Sequence, residues 1–362
     1  MSITFFGHLS WKQWGIAVLV FSLSFLLVFL SRSYRLYSSE AINASVAAEL
    51  FLYEPSTLEE LMELLDEQHV VYDRKELQWA SDIFGYRRFN PGRYVLEGPV
   101  SYQDFLTRFA LGLQDPMPLR VPAGASKEAL KIHIARQMRF EIGELEEAMR
   151  DTAFLNQHEL EPHLIYGRML PDTYEVFWTT GPRRLLARLL SEFDSRVTQP
   201  HAGRMEELGR TVDEITTLAS IIEWEARYDH EKPAISGLYW NRLNRRWRLQ
   251  ADPTVNYAKG ERARLVFADY RIDHPYNTYR IHGLPPGPIT NPSYAAISAA
   301  LYPEDHNYMY MVATPEGTHA FSRTYAEHRQ KSREWTDWLR EERRKRAEME
   351  REEALRRAEE QN

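Results

Sequence analysis

The sequence contains no cysteine among its 362 residues. This absence excludes disulfide cross-links, thiolate catalysis, iron–sulfur clusters and cysteine-ligated zinc. It does not fix the compartment, because large domains can fold without disulfides. Positive charge is not in excess either, since 45 basic and 52 acidic side chains give a formal net charge of −7. A strongly basic body that holds nucleic-acid phosphates is therefore excluded, and no nucleic-acid partner is expected.

Local motifs of several common enzyme chemistries are missing as well. His230 and Glu231 are not followed by the second histidine of an H-E-x-x-H zinc helix, and there is neither a G-x-S-x-G elbow nor a P-loop. His319 and His328 are nine residues apart, which does not match a local metal pair. We interpret both as hydrogen-bonding residues, and the sequence indicates no metal and no cofactor.

An apolar run near the start of the chain predicts a membrane helix. Nineteen residues without a charge separate Lys12 from Arg32, and about 20 apolar residues span a bilayer. A cleaved signal peptide is the alternative, but no small-x-small cleavage site follows the run. We therefore expect a retained helix at residues 14–31, after a short N-terminal segment at 1–13. The flanking charges are nearly balanced and leave the orientation open.

The rest of the chain predicts an α+β fold in about two or three domains. In the first domain, residues 45–118, a capping box at Thr57–Glu60 starts one helix and Lys75–Phe84 forms a second. A turn leads into a strand within Phe89–Leu96, and residues 49–53 supply its partner strand. This β-α-α-β outline is typical of a LysM-type glycan-binding module, and a small α+β packing domain has the same pattern.

The larger domain, residues 119–338, contains the candidate catalytic group. Residues 126–149 are predicted to be mostly helix, and 170–174 to form a turn, because a residue before proline avoids the helical region. A capping box at Thr211–Glu214 starts a helix with one apolar face. Glu223 lies at the edge of that face, where partial loss of hydration suits a carboxyl group to general acid catalysis. From the helix alone, an ordinary surface glutamate is the favoured interpretation.

Three segments after Glu223 are rich in amides, hydroxyls and aromatic rings and poor in charge. They span residues 249–254, 275–279 and 283–288. Such side chains suit a neutral polyhydroxylated ligand, because rings stack on sugar faces and amides bond to hydroxyl groups. Asn, Asp and Pro are also ordinary turn formers. For Gln250, Asn277 and the tyrosines we favour a functional role.

Eight segments together resemble one enzyme family. In chain order they are FNPGRYVL (89–96), PDTY (171–174), LASIIEWEA (218–226), NRL (241–243), LQADPT (249–254), PYNTY (275–279), GLPPGPITNPS (283–293) and GTHAFSRTYAEH (317–328). Their order and spacing, after a single apolar run, resemble the endolytic murein transglycosylases of the MltG/YceG type. The resemblance extends over residues 14–338.

This resemblance implies a membrane-anchored lyase of cell wall biogenesis. Such an enzyme cleaves the MurNAc-β-1,4-GlcNAc bond of nascent peptidoglycan, leaves 1,6-anhydro-MurNAc ends and limits the length of glycan strands. A LysM-like domain precedes the catalytic domain, and a single helix crosses the bacterial inner membrane, with residues 1–13 in the cytoplasm and the residues after the helix on the periplasmic side. The implied partners are peptidoglycan glycan strands, peptidoglycan synthases, penicillin-binding proteins and the lipid bilayer.

By the same resemblance, Glu223 is the catalytic acid/base, as the first glutamate of the family's S-I-V-E-K-E-T segment. One carboxyl group suffices for this reaction, because the 6-hydroxyl of MurNAc attacks its own anomeric carbon and no water is activated. We expect Gln250, Tyr276, Asn277 and Tyr279 to position the glycan. We expect Asn241 and Asp252 to hold the loops or the sugar. Departures from the family pattern at Tyr166, Trp224, Ala226 and Ala251 affect substrate contacts and rate rather than the reaction class.

Two other functions stay open on the sequence. The first is a catalytically weak glycan-binding scaffold that localises cell-wall synthases, because the neighbours Trp224 and Ala226 are altered. The second is a muramidase that uses water. That reaction needs a second carboxylate near Glu223, and Asp252 is the candidate.

Residues 339–362 form a segment that is dense in charges of both signs. Glutamate–arginine pairs four residues apart favour a helix. The pattern predicts a solvated single helix or a disordered tail, with a partner-binding helix as a lesser alternative.

Overall fold

The computed structural model describes residues 10–359, without the side chains of residues 355, 358 and 359. This part of the chain divides into two compact units. The first unit contains the residues up to Pro118 and the segment Glu175–Thr180, and the second contains Leu119–Tyr174 and the residues from Gly181 on. Most of the predicted cytoplasmic segment, residues 1–9, and the last three residues of the predicted tail lie outside the described residues.

The first unit has a three-stranded antiparallel sheet covered by helices. Its strand order is β2-β1-β3, with Ile42 opposite both Tyr72 and Val100. The elements in chain order are α1 (Trp11–Tyr37), β1 (Ile42–Leu52), α2 (Leu58–Glu67), β2 (Val71–Tyr72), α3 (Arg74–Phe84), β3 (Gly92–Val100) and α4 (Tyr102–Ala110). The predicted strand-helix-helix-strand order is present, with the short β2 added between the helices. The LysM-like identity of this unit stays a prediction.

Local sequence signals account for the two helices between the strands. Thr57 and Glu60 cap each other at the start of α2, with the Thr57 N–H donating to the Glu60 carboxylate at 2.7 Å. Asp73 accepts two backbone N–H bonds at the start of α3. Gly85 ends α3 in the left-handed region at φ 73°, which glycine adopts without strain. The capping box predicted at Thr57–Glu60 is confirmed, and the Asp73 cap is an additional finding.

The helix α1 is long and apolar enough to cross a membrane, as judged by length and composition. Its last turn belongs to the folded unit. Arg35 donates two hydrogen bonds to Glu76, at 2.9 and 2.7 Å, and its guanidinium lies 4.1 Å from the centroid of the Trp79 ring. Leu36 is buried in the core of the same unit. The apolar stretch therefore continues directly into a packed helix end.

The strands β4 (Pro116–Val121) and β5 (Asp172–Phe177) pair with each other, and the division between the units falls within both. The turn predicted at residues 170–174 is wrong for its second half, which begins β5. Only the bend at Leu170-Pro171 remains, because Thr173 and Tyr174 favour an extended backbone. Beyond β5, Trp178 packs edge-on against Phe51, within the first unit.

The second unit is mainly helical. Its helices are α5 (Lys127–Ala135), α6 (Ile142–Arg150), α7 (Thr152–Gln157), α8 (Pro182–Phe193), α9 (Gln199–Leu208), α10 (Val212–Glu225), α11 (Lys232–Asn244), α12 (Asp252–Lys259), α13 (Tyr294–Leu301) and α14 (Tyr325–Glu359). An antiparallel hairpin is formed by β6 (Tyr310–Ala313) and β7 (His319–Ser322). The predicted helix at 126–149 is two helices, α5 and α6.

The helix α10 is buried along most of its length. Ile215 to Ile222 are all buried, including Thr216 and Ser220, whose hydroxyls donate to carbonyls of the same helix. The prediction of one apolar face was therefore too narrow. Helices pack around α10 on several sides, so small hydroxyl residues are tolerated where their protons find backbone acceptors.

The segment predicted as a tail is the continuation of α14. Residues 339–359 are the C-terminal part of α14 and continue its helix without a break. Pairs such as Arg344–Glu341 at 2.8 Å and Lys345–Glu342 at 3.1 Å lie on its exposed surface. Position 339 marks a change in composition rather than the end of an element.

Replacing Gly167 with alanine tests the packing beneath the proline-rich segment of residues 283–288. A methyl group there would lie 2.3 Å from Cγ of Pro288. We expect Gly167→Ala to lower the free energy of unfolding by about 2 kcal/mol, because overpacked sites cost about 1–3 kcal/mol. The measurement is denaturant unfolding of the full-length chain. Gly143→Ala is the matched control: nothing lies within 4 Å of its added methyl group, and an unchanged or raised stability is expected. Equal stability of the two variants would contradict this packing.

Candidate active site

A cavity of about 410 Å³ lies in the second unit at the C-terminal end of α10. We call it the Glu225 cavity. It is lined by Glu225, Arg242, Gln250, Asp252, Tyr279, Tyr310, Met311, Val312, Ala313, His319, Tyr325 and His328. Carboxyl, guanidinium, amide, imidazole and phenol groups thus surround one space, as a site for a polar ligand requires.

Glu225 is the last residue of α10, and its carboxyl group lacks a hydrogen-bond partner on one oxygen. Oε2 is buried and unpaired among the described residues, and so is the hydroxyl of Tyr239. Burial raises the pKa of Glu225 to about 7, and the negative charge of Asp252 contributes in the same direction. The positive charge of Arg242 and the nearby hydroxyl of Tyr239, a potential donor to the carboxylate, act to lower the pKa of Glu225. A carboxyl group with this pKa can donate a proton at neutral pH and then hold the charge.

Arg242 supplies a fixed positive charge at the cavity wall. Its Nε and Nη2 donate to the carbonyl oxygen of Met309 at 2.9 and 2.7 Å, and Nη1 donates to the carbonyl of Leu249. The guanidinium thereby joins the segment before Gln250 to the start of β6. Burial lowers the pKa of Arg242, yet a guanidinium keeps its charge at any working pH. It can stabilise the Glu225 carboxylate once the proton has left.

Asp252 and Gln250 lie on the opposite segment of the wall. The carboxylate of Asp252 accepts hydrogen bonds from the hydroxyls of Tyr279 at 2.6 Å and Tyr270 at 3.3 Å. Burial and the charge of Asp252 raise the pKa of Tyr279, so this phenol stays protonated. Gln250 has φ 49°, uncommon for a residue with a Cβ. Backbone strain of this kind clusters at functional sites.

Glu223 lies in different surroundings, although only one residue separates it from Glu225. Its Oε2 accepts hydrogen bonds from Lys232 Nζ at 2.9 Å, Ser293 Oγ at 2.5 Å and Ser293 N–H at 3.2 Å. Lys232 is buried and also approaches Asp229 at 2.7 Å. Two positions along an α-helix rotate a side chain by about 200°. Glu223 therefore connects α10 to α11 and to Ser293, the residue before α13. It does not line the Glu225 cavity.

Three of the six predicted residues do not line the cavity: Tyr276 and Asn277, which were predicted to position the glycan, and Asn241, which was predicted to hold the loops or the sugar. Asn241 donates to the carbonyls of His306 and Tyr308 at 2.7 and 3.1 Å. Asn277 is fully buried, and its amide donates to the carbonyl of Ile272 at 2.8 Å. Tyr276 packs in the core, with its ring 4.5 Å from that of Tyr257. The other three, Gln250, Asp252 and Tyr279, are brought together at the cavity.

Reasoning from the sequence missed several residues of the cavity. Glu225 lies within the quoted motif at 218–226, but it is rotated about 200° around the helix from Glu223 and was not predicted as a site residue. Arg242 lies within the NRL motif, and His319 within the motif at 317–328. Their common signal was membership of a motif, and only the tertiary structure brings them together. Within residues 10–359, no group of three or more His, Asp or Glu side chains is arranged to hold a metal ion.

The fold and the cavity define a protein of mixed α+β class with a protonatable glutamate in a polar cleft. A family model described as the YceG-like family matches residues 52–334. The chain belongs to the YceG-like family, and the resemblance drawn from the motifs is confirmed.

Named relatives agree with this membership. The endolytic murein transglycosylase of Bacillus subtilis is 27% identical over 290 residues, which cover 75% of this chain and 80% of that protein. The endolytic murein transglycosylase of Streptococcus pneumoniae serotype 2 is 25% identical over 296 residues, which cover 72% of this chain and 53% of that protein. The matched part is thus about half of the streptococcal relative.

A solved structure supports the fold. The crystal structure of a yceG-like protein from Listeria monocytogenes has a TM-score of 0.56 to this chain at 24% identity. The match covers 79% of this chain and 99% of the Listeria chain. The predicted α+β class is confirmed at this level.

The raised pKa of Glu225 can be measured directly. The C=O stretch of its protonated carboxyl, isolated by infrared difference against Glu225→Gln, should titrate with a midpoint at about 7. Asp252→Asn should lower that midpoint, because it removes a negative charge that disfavours ionisation. Asp229→Asn, beside Lys232, is the control and should leave it unchanged. A midpoint near the ordinary 4.5 would contradict the desolvation of Glu225.

The same pKa sets the sign of a stability effect. The folded chain binds the proton more tightly than the unfolded chain, so the free energy of unfolding should fall as pH rises from about 4.5 to about 7. Glu225→Gln should remove this contribution and flatten the pH dependence.

Proposed function

We propose that this chain is a membrane-anchored endolytic lytic transglycosylase. It cleaves the MurNAc-β-1,4-GlcNAc bond of nascent peptidoglycan, leaves 1,6-anhydro-MurNAc ends and so limits the length of glycan strands. Membership of the YceG-like family and the names of the relatives support the general activity. The observation that carries the proposal is the carboxyl group of Glu225, whose pKa is raised in a polar cavity of about 410 Å³.

Glu225 acts as acid and then as base. In the first step its carboxyl proton moves to the glycosidic oxygen, and the bond from that oxygen to the anomeric carbon of MurNAc breaks. In the second step the 6-hydroxyl oxygen of the same sugar bonds to the anomeric carbon, and its proton returns to Glu225. Atoms and charge balance without water. Holding the hydroxyl near the carbon makes ring closure intramolecular, which can lower a barrier by about 7–11 kcal/mol in well-oriented systems.

The acid/base is Glu225 rather than Glu223, the residue predicted from the resemblance. Glu223 is ion-paired with a buried lysine and accepts three hydrogen bonds on one oxygen. These bonds commit Oε2 of Glu223 to holding α10 against Lys232 and Ser293. Glu225 has an unpaired buried oxygen among the described residues and a pKa near neutrality. The role of Glu223 as acid/base stays an alternative for the experiment below.

The remaining predicted residues divide into two roles. Gln250, Asp252 and Tyr279 bind the glycan, because they line the cavity with Glu225. Asn241, Tyr276 and Asn277 hold the surrounding loops in place through backbone hydrogen bonds or ring packing. Loss of the second group should reduce stability before it changes the chemistry.

A water-using muramidase is the second candidate function. Asp252 lines the same cavity as Glu225 and raises its pKa through its charge. Two carboxyl groups facing one cleft are the usual arrangement of glycosidases that activate water or form a covalent intermediate. Against this role, Asp252 already accepts hydrogen bonds from Tyr279 and Tyr270. A catalytically weak scaffold remains the third candidate, and the desolvated Glu225 argues against it.

Family membership and the apolar helix α1 support the following cellular arrangement. The chain is a single-pass protein of the bacterial inner membrane, with residues 1–13 in the cytoplasm, 14–31 in the bilayer and the rest on the periplasmic side. Residues 45–118 bind glycan as a LysM-like domain, 119–338 carry the reaction, and the charged segment at 339–362 is solvated. Peptidoglycan strands are the substrate, and synthases and penicillin-binding proteins are partners.

Product analysis separates these candidates. The full-length chain in detergent is incubated with peptidoglycan, and the fragments are identified by mass spectrometry. We expect anhydro-ended fragments from the wild type, and a rate lower by about 10²–10⁴-fold for Glu225→Gln, the usual loss when a general acid is removed. Reducing ends that have gained a water would contradict the transglycosylase and favour the muramidase.

Glu223→Gln is the matched control, since it makes the same change two residues away. It should keep the anhydro products and a rate within about tenfold of wild type. It should also destabilise the fold by about 1.5–3 kcal/mol, because buried Lys232 loses one charged hydrogen-bond partner and keeps the ion pair with Asp229. If Glu223→Gln abolishes cleavage in a folded protein and Glu225→Gln does not, Glu223 is the acid/base.

The membrane topology can be tested with introduced thiols, because the chain has no cysteine of its own. A membrane-impermeant maleimide added to spheroplasts should label Ser39→Cys and should leave Ser2→Cys unlabelled until the membrane is opened. The wild type is the blank. Labelling of both variants, or release of the protein by alkaline extraction, would contradict a retained single-pass helix.

A further inference from the structure

A buried glutamate–histidine pair adjoins the Glu225 cavity and has no role in the mechanism above. His319 lines the cavity, and Glu231 lies behind it with a relative exposure of 6%. Oε1 of Glu231 accepts a hydrogen bond from the backbone N–H of His319 at 2.6 Å. Oε2 of Glu231 lies 3.6 Å from Nδ1 of the His319 ring. The carboxylate thus contacts both the backbone and the ring of one residue.

The hairpin holds His319 in a defined position. His319 begins β7 and pairs with Ala313 of β6. The intervening turn is closed by the Thr314 N–H, which donates to the Thr318 carbonyl at 2.8 Å, and Gly317 adopts φ 79°. With the backbone fixed at both ends of the turn, rotation of the side chain is the main freedom left to His319, and Glu231 restricts it.

The pairing selects one tautomer of the imidazole ring. Oε2 of Glu231 and Nδ1 of His319 are both buried, and neither has a hydrogen-bond partner among the described residues. Leaving a buried carboxylate oxygen unpaired is costly. A proton on Nδ1, donated to Oε2 after a shift of a few tenths of an ångström, satisfies both atoms. In a neutral ring the other nitrogen, Nε2, is then a hydrogen-bond acceptor.

The ring is neutral at working pH. Burial lowers the pKa of His319, and this effect exceeds the opposing attraction of Glu231. The other polar groups of the cavity wall differ from His319 in the hydrogen bonds that they can make. Arg242 has its donors on backbone carbonyls, and the Tyr279 hydroxyl donates to Asp252. An uncharged acceptor at His319 complements them, since sugars present many O–H and N–H donors.

We propose that Glu231 orients His319 so that its Nε2 accepts a hydrogen bond from a hydroxyl or acetamido N–H group of the bound sugar. His319 is then a substrate-contacting residue, and Glu231 is a positioning residue that acts through it. This inference rests on the proposed function, because it assigns a glycan ligand to the same cavity.

Binding measured without turnover tests the contact. The full-length Glu225→Gln protein in detergent is titrated calorimetrically with a tetrasaccharide of alternating GlcNAc and MurNAc. Adding His319→Leu should weaken binding by about tenfold, the equivalent of one hydrogen bond of about 1.4 kcal/mol. His319→Gln should retain affinity within about threefold, because its side-chain oxygen can occupy the position of Nε2.

The control histidine is His201, which lies outside the cavity and bonds to the hydroxyls of Tyr294 and Tyr302 at 3.0 and 3.2 Å. His201→Leu should leave the affinity unchanged. Thermal unfolding of each variant establishes that it is folded. Normal binding by folded His319→Leu would overturn the inference.

A nitrogen-15 NMR measurement on histidine-labelled protein reads the tautomer, which a merely structural role would not link to the ligand. The His319 signal, identified by its loss in His319→Gln, should report a proton on Nδ1, and Nε2 should shift on addition of the tetrasaccharide. Glu231→Gln offers an amide donor to Nδ1 and should move the proton to Nε2, with about tenfold weaker binding. A signal that does not respond to saturating sugar would overturn the contact.

The outcomes separate this inference from the proposed function. If the tetrasaccharide fails to bind with His319 intact, both are overturned. If it binds and neither His319→Leu nor Glu231→Gln weakens it, only the role of this pair is overturned. If the pair matters for binding but the active chain yields water-added reducing ends, only the reaction type is overturned.

Discussion

The burial of α10 is the constraint on which the Glu225 cavity depends. Because helices pack around it, the end of α10 opens into a partly enclosed space rather than into bulk solvent. The carboxyl group of Glu225 also lies at the negative end of the helix dipole, which opposes ionisation. Desolvation and the charge of Asp252 act in the same direction and bring its pKa to about 7. The packing of one helix thus sets the chemistry of its last side chain.

The two glutamates of α10 illustrate how one helix can serve structure and chemistry together. The carboxylate of Glu223 accepts hydrogen bonds from Lys232 and from Ser293 at the start of α13, and these bonds fix the helices around the cavity. Glu225 keeps an oxygen without a partner in the described part of the chain and therefore remains reactive. Arg242 joins the segment before Gln250 to the start of β6 through the backbone carbonyls of Leu249 and Met309, and its positive charge is thereby held in place. Reactivity at Glu225 depends on the structural bonds made by its neighbours.

Local elements were largely predictable from the sequence, and the site was predictable only in part. Capping at Thr57, Asp73 and Thr211 depends on bonds within one turn, so the sequence contains the whole signal. The predictions of a turn at 170–174 and of a loop at 249–254 were partly wrong. A strand partner in β4 extends Thr173 and Tyr174 into β5, and Pro253 in the first turn of α12 starts a helix that was taken for a loop.

By itself, the sequence determined the family, the α+β class, the apolar stretch at the N-terminus and the motifs that contain the cavity residues. Motif order is a property of the chain, and it needs no coordinates. Only the tertiary structure showed which of the six predicted binding residues line the cavity. Asn277 and Gln250 have similar side chains, but Asn277 is buried and Gln250 lines the cavity. It also distinguished Glu225 from Glu223. The surroundings of a carboxyl group are set by helices distant in sequence, and a pattern along one helix does not contain them.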